Sequence, residues 1–391
     1  MIILYFFFLL YLSASIYYTP KNKLKKRIFL VSIAFAILAF FQEVQKDSDL
    51  TVAFYHLDIL RQKGWNYFSH PDLAQDIYFT GRDILKIYFY ILSLLPYNNF
   101  YSAISIFFIY FLPLNGILTI CQNYQIPYTK TKYLLILLLW MIDFFDGSNG
   151  VRNMLSFSIF SYALMKDICI KQNKLLTWGL YIISALLHSS AWILILLRSI
   201  LYIKKKRIII AISIMLIVWP IALQYIPFLS GNDNAIMNSM QHHANAYTHT
   251  GSDSGNFNSD NFNNSTSYIL MRIFRIVHVL LLTYMILYTW KRAKTLPPFY
   301  LFMLLLSGFC IGSTSPSIAN NVLSRYSFAM IFLTPLTYLI YNQLIKNKKY
   351  IIIGNYKIEF FALALIFITI LFNYYMFRYH YHYMFFGFNL Y

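Results

Sequence analysis

The sequence predicts an all-α, polytopic integral membrane protein, one domain over residues 1–391 built from about a dozen transmembrane helices or half-helices. Three observations predict it. The chain is 59% hydrophobic and only 12% charged, where a soluble domain keeps roughly a quarter of its residues charged. Apolar runs of about 15–25 residues recur from end to end, each long enough to cross or nearly cross a ~30 Å hydrocarbon layer. Between them the basic residues stand in short clusters: Lys21–Arg27, Lys166–Lys174, Lys204–Arg207, Lys291–Lys294 and Lys346–Lys349. A closed β-barrel could also span lipid, but stretches such as Phe360–Phe372 are continuously apolar rather than alternating.

The net charge of +18 does not point to nucleic acid, because the cations are spread over connectors rather than gathered on one face. Under the positive-inside rule these clusters are cytoplasmic. Met1–Tyr18 lacks a basic leader and a small-residue cleavage site, so it reads as a retained first span. Cys121, Cys169 and Cys310 lie in or beside apolar segments without metal spacing and read as small buried hydrophobes.

Taken in order, Ile28–Phe41 carries the chain outward to a first outer loop, residues 42–83, whose aromatic residues suggest interfacial helices. Ile84–Leu95 is short and ends at Pro96, and Tyr101–Ile120 is a full span kinked at Pro113. Leu134–Phe145 returns outward to the turn Gly147–Gly150, and Met154–Met165 goes back in. Residues 175–203 have basic clusters at both ends, which one crossing cannot satisfy. A helix pair broken near Leu187–Ser190 can, with His188 at the break. Such breaks at membrane depth are tolerated where they are buried in protein or line a cavity. Ile208–Phe228 leads to a second outer loop, residues 230–267, rich in Asn, Ser, Asp, Gly and His and reading as flexible; its histidines, from His242 to His249, make a poor metal cage. Tyr268–Trp290, Phe299–Ile311, Arg325–Ile345 and Ile351–Phe377 complete the spans. Arg152, His188, Arg325 and both large loops then share the outer face.

The stretch Gly150-Val151-Arg152-Asn153, followed by an apolar helix, a basic connector and Leu187-His188-Ser189-Ser190-Ala191, resembles the EpsG-type, Wzy-like bacterial polysaccharide polymerases. Arg325 with Ser327 and Phe328 resembles a late arginine of that family, and Asp49 with Tyr55 resembles its acidic element in the first outer loop. The departures are Asn153, where glutamine is common, and the loose placing of the acid. The resemblance implies an architecture of the GT-C type and a metal-independent transferase without cofactor. Its substrates would be undecaprenyl-diphosphate-linked oligosaccharides, as donor and acceptor, at the periplasmic face of an inner membrane. A chain-length regulator in the same membrane is an implied partner; nucleic acid is not.

That reaction needs positive charge against a departing diphosphate and a group to take the acceptor proton. Arginine suits the first task, since its planar fork grips phosphate in two places. Arg152 and Arg325 are therefore the expected diphosphate ligands. His188 is expected to share that task or to orient the acceptor, and Asp49 is the candidate base. Asp146, Arg82 and Asp83 are further candidates on the outer side, and Asp143 or Asp146 could equally cap a helix or pair with Arg152. Two other functions fit the same composition: a flippase for lipid-linked oligosaccharides, and an O-antigen ligase using the same donor with a different acceptor.

Overall fold

The computed structural model describes residues 2–44, 49–69, 78–79, 82–203, 205–221, 266–293, 296–315, 320–345, 350–353 and 356–380. The described chain is helical, apart from one short hairpin, and divides into two compact units. The first comprises Met1–Ile195, Ile331–Leu336 and Thr369–Tyr391; the second comprises Leu196–Met330 and Thr337–Ile368. Most of the second outer loop, residues 230–265, lies outside the described residues.

In the first unit, helices α1 (Ile2–Tyr18) and α2 (Leu24–Phe40) form a hairpin across the turn at Pro20–Lys23. Helix α3 (Asp49–Lys63) comes from the first loop, and α4 (Asp83–Ser93) covers the short apolar piece that follows it. Then follow α5 (Asn99–Asn123), which runs unbroken through Pro113, and α6 (Tyr128–Met141), the one-and-a-half-turn α7 (Phe144–Asn149), α8 (Val151–Leu164) and α9 (Lys174–Leu187). Helix α2 lies antiparallel to α5: Asn99 at the start of α5 donates to the carbonyl of Phe40 at 2.6 Å, while Phe29 meets Phe107 and Phe111 further along.

Those contacts sort the connectors. Tyr128 donates to the carbonyl of Thr19, and Tyr124 to that of Cys169 at 2.6 Å. The clusters Lys21–Arg27, Lys130–Lys132 and Lys166–Lys174 therefore share one end of this unit. Helices α3, α4 and α7, with the start of α8, gather at the other. Asn98, just ahead of α5, donates to Asp58 of α3 at 2.8 Å, and Arg61 donates to the carbonyl of Leu95 at 3.1 Å.

Helices α8 and α9 are also antiparallel, with Ser156 donating to the carbonyl of Ser184 at 2.8 Å and Phe160 packed on Tyr181. Helix α9 stops at Leu187 and α10 (Ala191–Ile200) begins after the three residues His188–Ser190, so residues 175–203 contain two helices.

The second unit contains α11 (Lys206–Met215), α12 (Thr266–Arg292), α13 (Pro298–Gly312) and most of α14 (Asn320–Leu344). Helix α14 starts ahead of Arg325, which stands in its second turn rather than at its mouth. Strands β1 (Tyr350–Ile353) and β2 (Tyr356–Glu359) pair antiparallel before α15 (Phe360–His380). The sequence reading placed Ile351–Glu359 inside a span, and this is a correction. Three consecutive isoleucines in the first strand and Tyr356 and Ile358 in the second carry the β-branched and aromatic pattern of paired strands.

Helices Asn99–Asn123 and Arg272–Arg292 are long and apolar enough to cross a membrane. Many helices also present large apolar side chains outward, among them Phe7, Leu10, Phe29, Ile37, Leu196 and Ile214.

Candidate active site

The candidate site sits at the end of the first unit away from the basic connectors. Gly150 caps α8, which puts Arg152 in its first turn. There the guanidinium carbon lies 3.7 Å from the centroid of the Tyr78 ring. A stacked guanidinium and aromatic face attract through the ring's quadrupole, the more so when water is excluded. Tyr78 is buried. Burial pushes its phenol up to about 12, with Asp49 acting in the same direction and Arg152 and Arg82 opposing it. The ring therefore stays neutral at physiological pH and offers Arg152 an uncharged platform.

The same balance identifies the neighbours. Asp49, Arg82 and Arg152 are all close enough to act electrostatically on one phenol, although they come from α3, the segment before α4, and α8. Asp49 is the first residue of α3 and is exposed. Arg82 is half-buried and donates to the carbonyl of Tyr78 at 2.7 Å. Among the described residues Arg152 makes no hydrogen bond or ion pair. A cation stacked on an aromatic, with no carboxylate bonded to it among the described residues, can receive an anion. Next to it, Asn153 Oδ1 is buried and has no partner among the described residues.

His188 reaches the same end. It lies one turn beyond Ser184, just as Arg152 lies one turn before Ser156, and Ser156 and Ser184 are hydrogen-bonded. Its backbone is extended (φ −150°, ψ 123°), which ends α9. The Ser190 N–H donates to its Nδ1 at 3.2 Å, a local turn that offers the backbone an alternative to the helix. With Nδ1 accepting, the assigned tautomer carries its proton on Nε2.

The remaining expectations divide. Asp83 opens α4, pairs with Lys86 at 3.1 Å and lines a cleft of about 270 Å³ with Trp65, Phe68, Ser69 and Ile87. Asp143 is buried and accepts the Phe145 N–H at 2.9 Å, capping α7. Asp146 belongs to α7, and its side chain lies outside the described residues. Arg325 belongs to the second unit and is half-buried there.

Two features escape a sequence reading. His56 of α3 is buried, its Nδ1 2.7 Å from the Tyr67 hydroxyl and its ring 4.5 Å from that of Tyr78, so it backs the tyrosine beneath Arg152. In the second unit, Arg272 and Arg275 lie within the apolar helix α12, Arg275 almost fully buried. Their signal was there to read: ionisable residues three apart in an apolar run. Among the described residues no three His, Cys, Asp or Glu side chains gather as a metal-binding group. Comparison with protein-family models, with curated proteins and with solved structures finds no match.

Proposed function

We propose that the chain is a multi-pass transferase of a bacterial inner membrane that polymerises oligosaccharide repeat units carried on undecaprenyl diphosphate, in the manner of the EpsG-type, Wzy-like polymerases. The observation that carries this reading is Arg152, stacked on a buried neutral tyrosine, without a carboxylate partner among the described residues, at the end opposite three basic connectors. Lysine- and arginine-rich connectors favour the cytoplasm, so Arg152 would face the periplasm. Outward-facing phenylalanines, leucines and isoleucines suit contact with lipid chains rather than with water.

In the reaction, an acceptor sugar hydroxyl attacks the anomeric carbon of the donor glycan. The new C–O bond forms as the bond to the lipid diphosphate breaks. The diphosphate leaves with the electron pair, and the hydroxyl proton passes to a base. Arg152 stabilises the negative charge growing on the leaving oxygens, a gain that is largest where water is excluded. His188, with Nδ1 engaged by the backbone, is a donor through Nε2 and so suits the diphosphate rather than the proton abstraction. Asp49, exposed on the rim beside Tyr78 and Arg152, is the base we assign. Trp65 and Phe68 in the cleft beside Asp83 offer apolar faces for sugar rings, with polar groups at the edge to orient them.

The test is a gel of surface polysaccharide from a deletion strain complemented with the wild type or Arg152→Ala at matched protein levels. Polymerase function predicts a ladder with the wild type and single repeat units with the variant. Complete loss of surface glycan in the deletion strain would indicate a ligase or flippase instead. A full ladder from Arg152→Ala would remove this site.

A further inference from the structure

We propose that a cleft at the connector end of the first unit binds the headgroup of an anionic phospholipid of the phosphatidylglycerol class. The cleft has a volume of about 360 Å³ and lies between two turns. One turn, Pro20–Lys23, joins α1 to α2, and the other, Tyr124–Pro127, joins α5 to α6. The Tyr128 hydroxyl ties them together by donating to the carbonyl of Thr19. Leu24, Leu118, Cys121 and Thr131 are buried and form the floor, while Lys21, Gln122 and Gln125 are exposed at the rim. Helix α5 is long and apolar enough to cross a membrane, and the cleft stands where that helix ends. For a spanning helix this is the level of the lipid headgroups.

Gln125 is not the residue that chain geometry alone would choose. Its N–H donates to the Gln122 carbonyl at 3.2 Å, and the Ile126 N–H donates to that of Cys121 at 2.8 Å. These bonds close α5 with the left-handed turn in which glycine is the usual residue. Gln125 takes that conformation, with φ 51°, against the steric cost of its Cβ. Residues held this way gather at ligand clamps, and here the strained residue brings a side-chain amide to the rim of a cleft. Lys21 lines the same cleft from the other turn, and its ammonium makes no ion pair or hydrogen bond among the described residues.

The surroundings favour an anion. No carboxylate lines the cleft. No aspartate or glutamate occurs in residues 1–42 or 84–142, and Asp167 is the only one in residues 147–195. Lys132 lies 4.2 Å from the centroid of the Tyr128 ring. Burial lowers the pKa of Lys166 and Lys25 lowers it further, so cations press on one another at this end. A phosphodiester supplies the opposite charge to Lys21, and glutamine amides can donate to its oxygens while their carbonyls accept from glycerol hydroxyls. An ethanolamine headgroup would instead bring a second ammonium against Lys21, with no carboxylate in the lining to receive it. The volume falls in the range of about 300–1,000 Å³ usual for small-ligand sites, and basic pockets between membrane helices are a known means of taking acidic lipids. A soluble glycerol phosphate carries the same charged group but leaves Leu24 and Leu118 uncovered, whereas a lipid removes them from water. The inference needs α5 to lie in a bilayer and does not rest on the polymerase reading.

The experiment titrates short-chain phosphatidylglycerol into the purified full-length protein in a neutral detergent and follows bound lipid by native mass spectrometry. It is repeated for Lys21→Gln, for Gln125→Gly, and for Lys23→Gln, which removes a cation in the same turn that does not line the cleft. Lys21→Gln should weaken binding at least fivefold, in line with about 1 kcal/mol for a lysine beside an anionic headgroup, and Lys23→Gln less than twofold. Glycine at 125 relieves the left-handed strain, so Gln125→Gly should melt no lower than the wild type and yet bind at least fivefold more weakly. Less than a twofold loss from Lys21→Gln or from Gln125→Gly would overturn the site. Equal losses from Lys21→Gln and Lys23→Gln would assign the lipid to the diffuse charge of the connectors and overturn the cleft. Short-chain phosphatidylethanolamine bound as tightly as phosphatidylglycerol would overturn the headgroup class. Glycerol phosphate bound as tightly as the lipid would overturn the lipid assignment in favour of a soluble phosphoester.

Discussion

Arg152 was legible in the sequence because a cation at the edge of an apolar segment stands out against its neighbours. Its partner was not. Tyr78 is one of 35 tyrosines, and nothing in the spacing singles out the ring on which the guanidinium lies. The pair makes a graded expectation. Arg152→Lys keeps the charge but loses the planar fork and much of the stacking, so the polysaccharide ladder should shorten where Arg152→Ala abolishes it. Equal, full ladders from both variants would count against charge at this position. His188 admits a cleaner separation of fold from chemistry. In His188→Asn the side-chain oxygen can accept the Ser190 N–H as Nδ1 does, so the helix break survives while the Nε2–H donor is lost. We expect normal protein levels and loss of at least tenfold in polymer, about 1.4 kcal/mol of transition-state stabilisation. Wild-type polymer from that variant would leave His188 with a structural role only.

At the scale of elements, charge bookkeeping located more than hydropathy did. The interruption between α9 and α10 followed from two basic clusters that a single crossing could not place on one side. Helix α7 and the hairpin at Tyr350–Glu359 were not read, because short apolar stretches carry no periodicity that separates strand from helix. The sequence Ser307-Gly308-Phe309-Cys310-Ile311-Gly312 also passed unremarked, although it is a small-residue repeat at helix-packing spacing. In the second unit it lets α11 approach α13 closely. A Cβ on Gly308 would stand 2.2 Å from the Ser213 carbonyl oxygen, and one on Gly312 would stand 2.6 Å from that of Leu216. Backbone cannot yield as a side chain can. Gly308→Leu should therefore cost about 1–3 kcal/mol or more, read as a lower melting temperature of the purified protein. An unchanged melting temperature would show that α11 does not pack there.

At the scale of the molecule, the sequence divided the polar residues into two populations before any helix was placed. Contacts within the first unit keep that division: three basic connectors at one end, and Arg152, His188 and Asp49 at the other. The separation into two units was not legible, since apolar helices of one unit look like those of the other when only composition is read. What the division predicts is sidedness. With Cys121, Cys169 and Cys310 replaced, single cysteines are introduced at three exposed positions: Asn22 and Asn173 among the connectors, and Val52 on α3. A membrane-impermeant maleimide applied to spheroplasts should label Val52→Cys alone, and the other two only after the membrane is opened. Labelling confined to Asn22→Cys and Asn173→Cys would invert the orientation and put Arg152 where no periplasmic substrate could reach it. Equal labelling of all three in sealed spheroplasts would mean that the first unit does not cross the bilayer, and the transferase reading would fail with it.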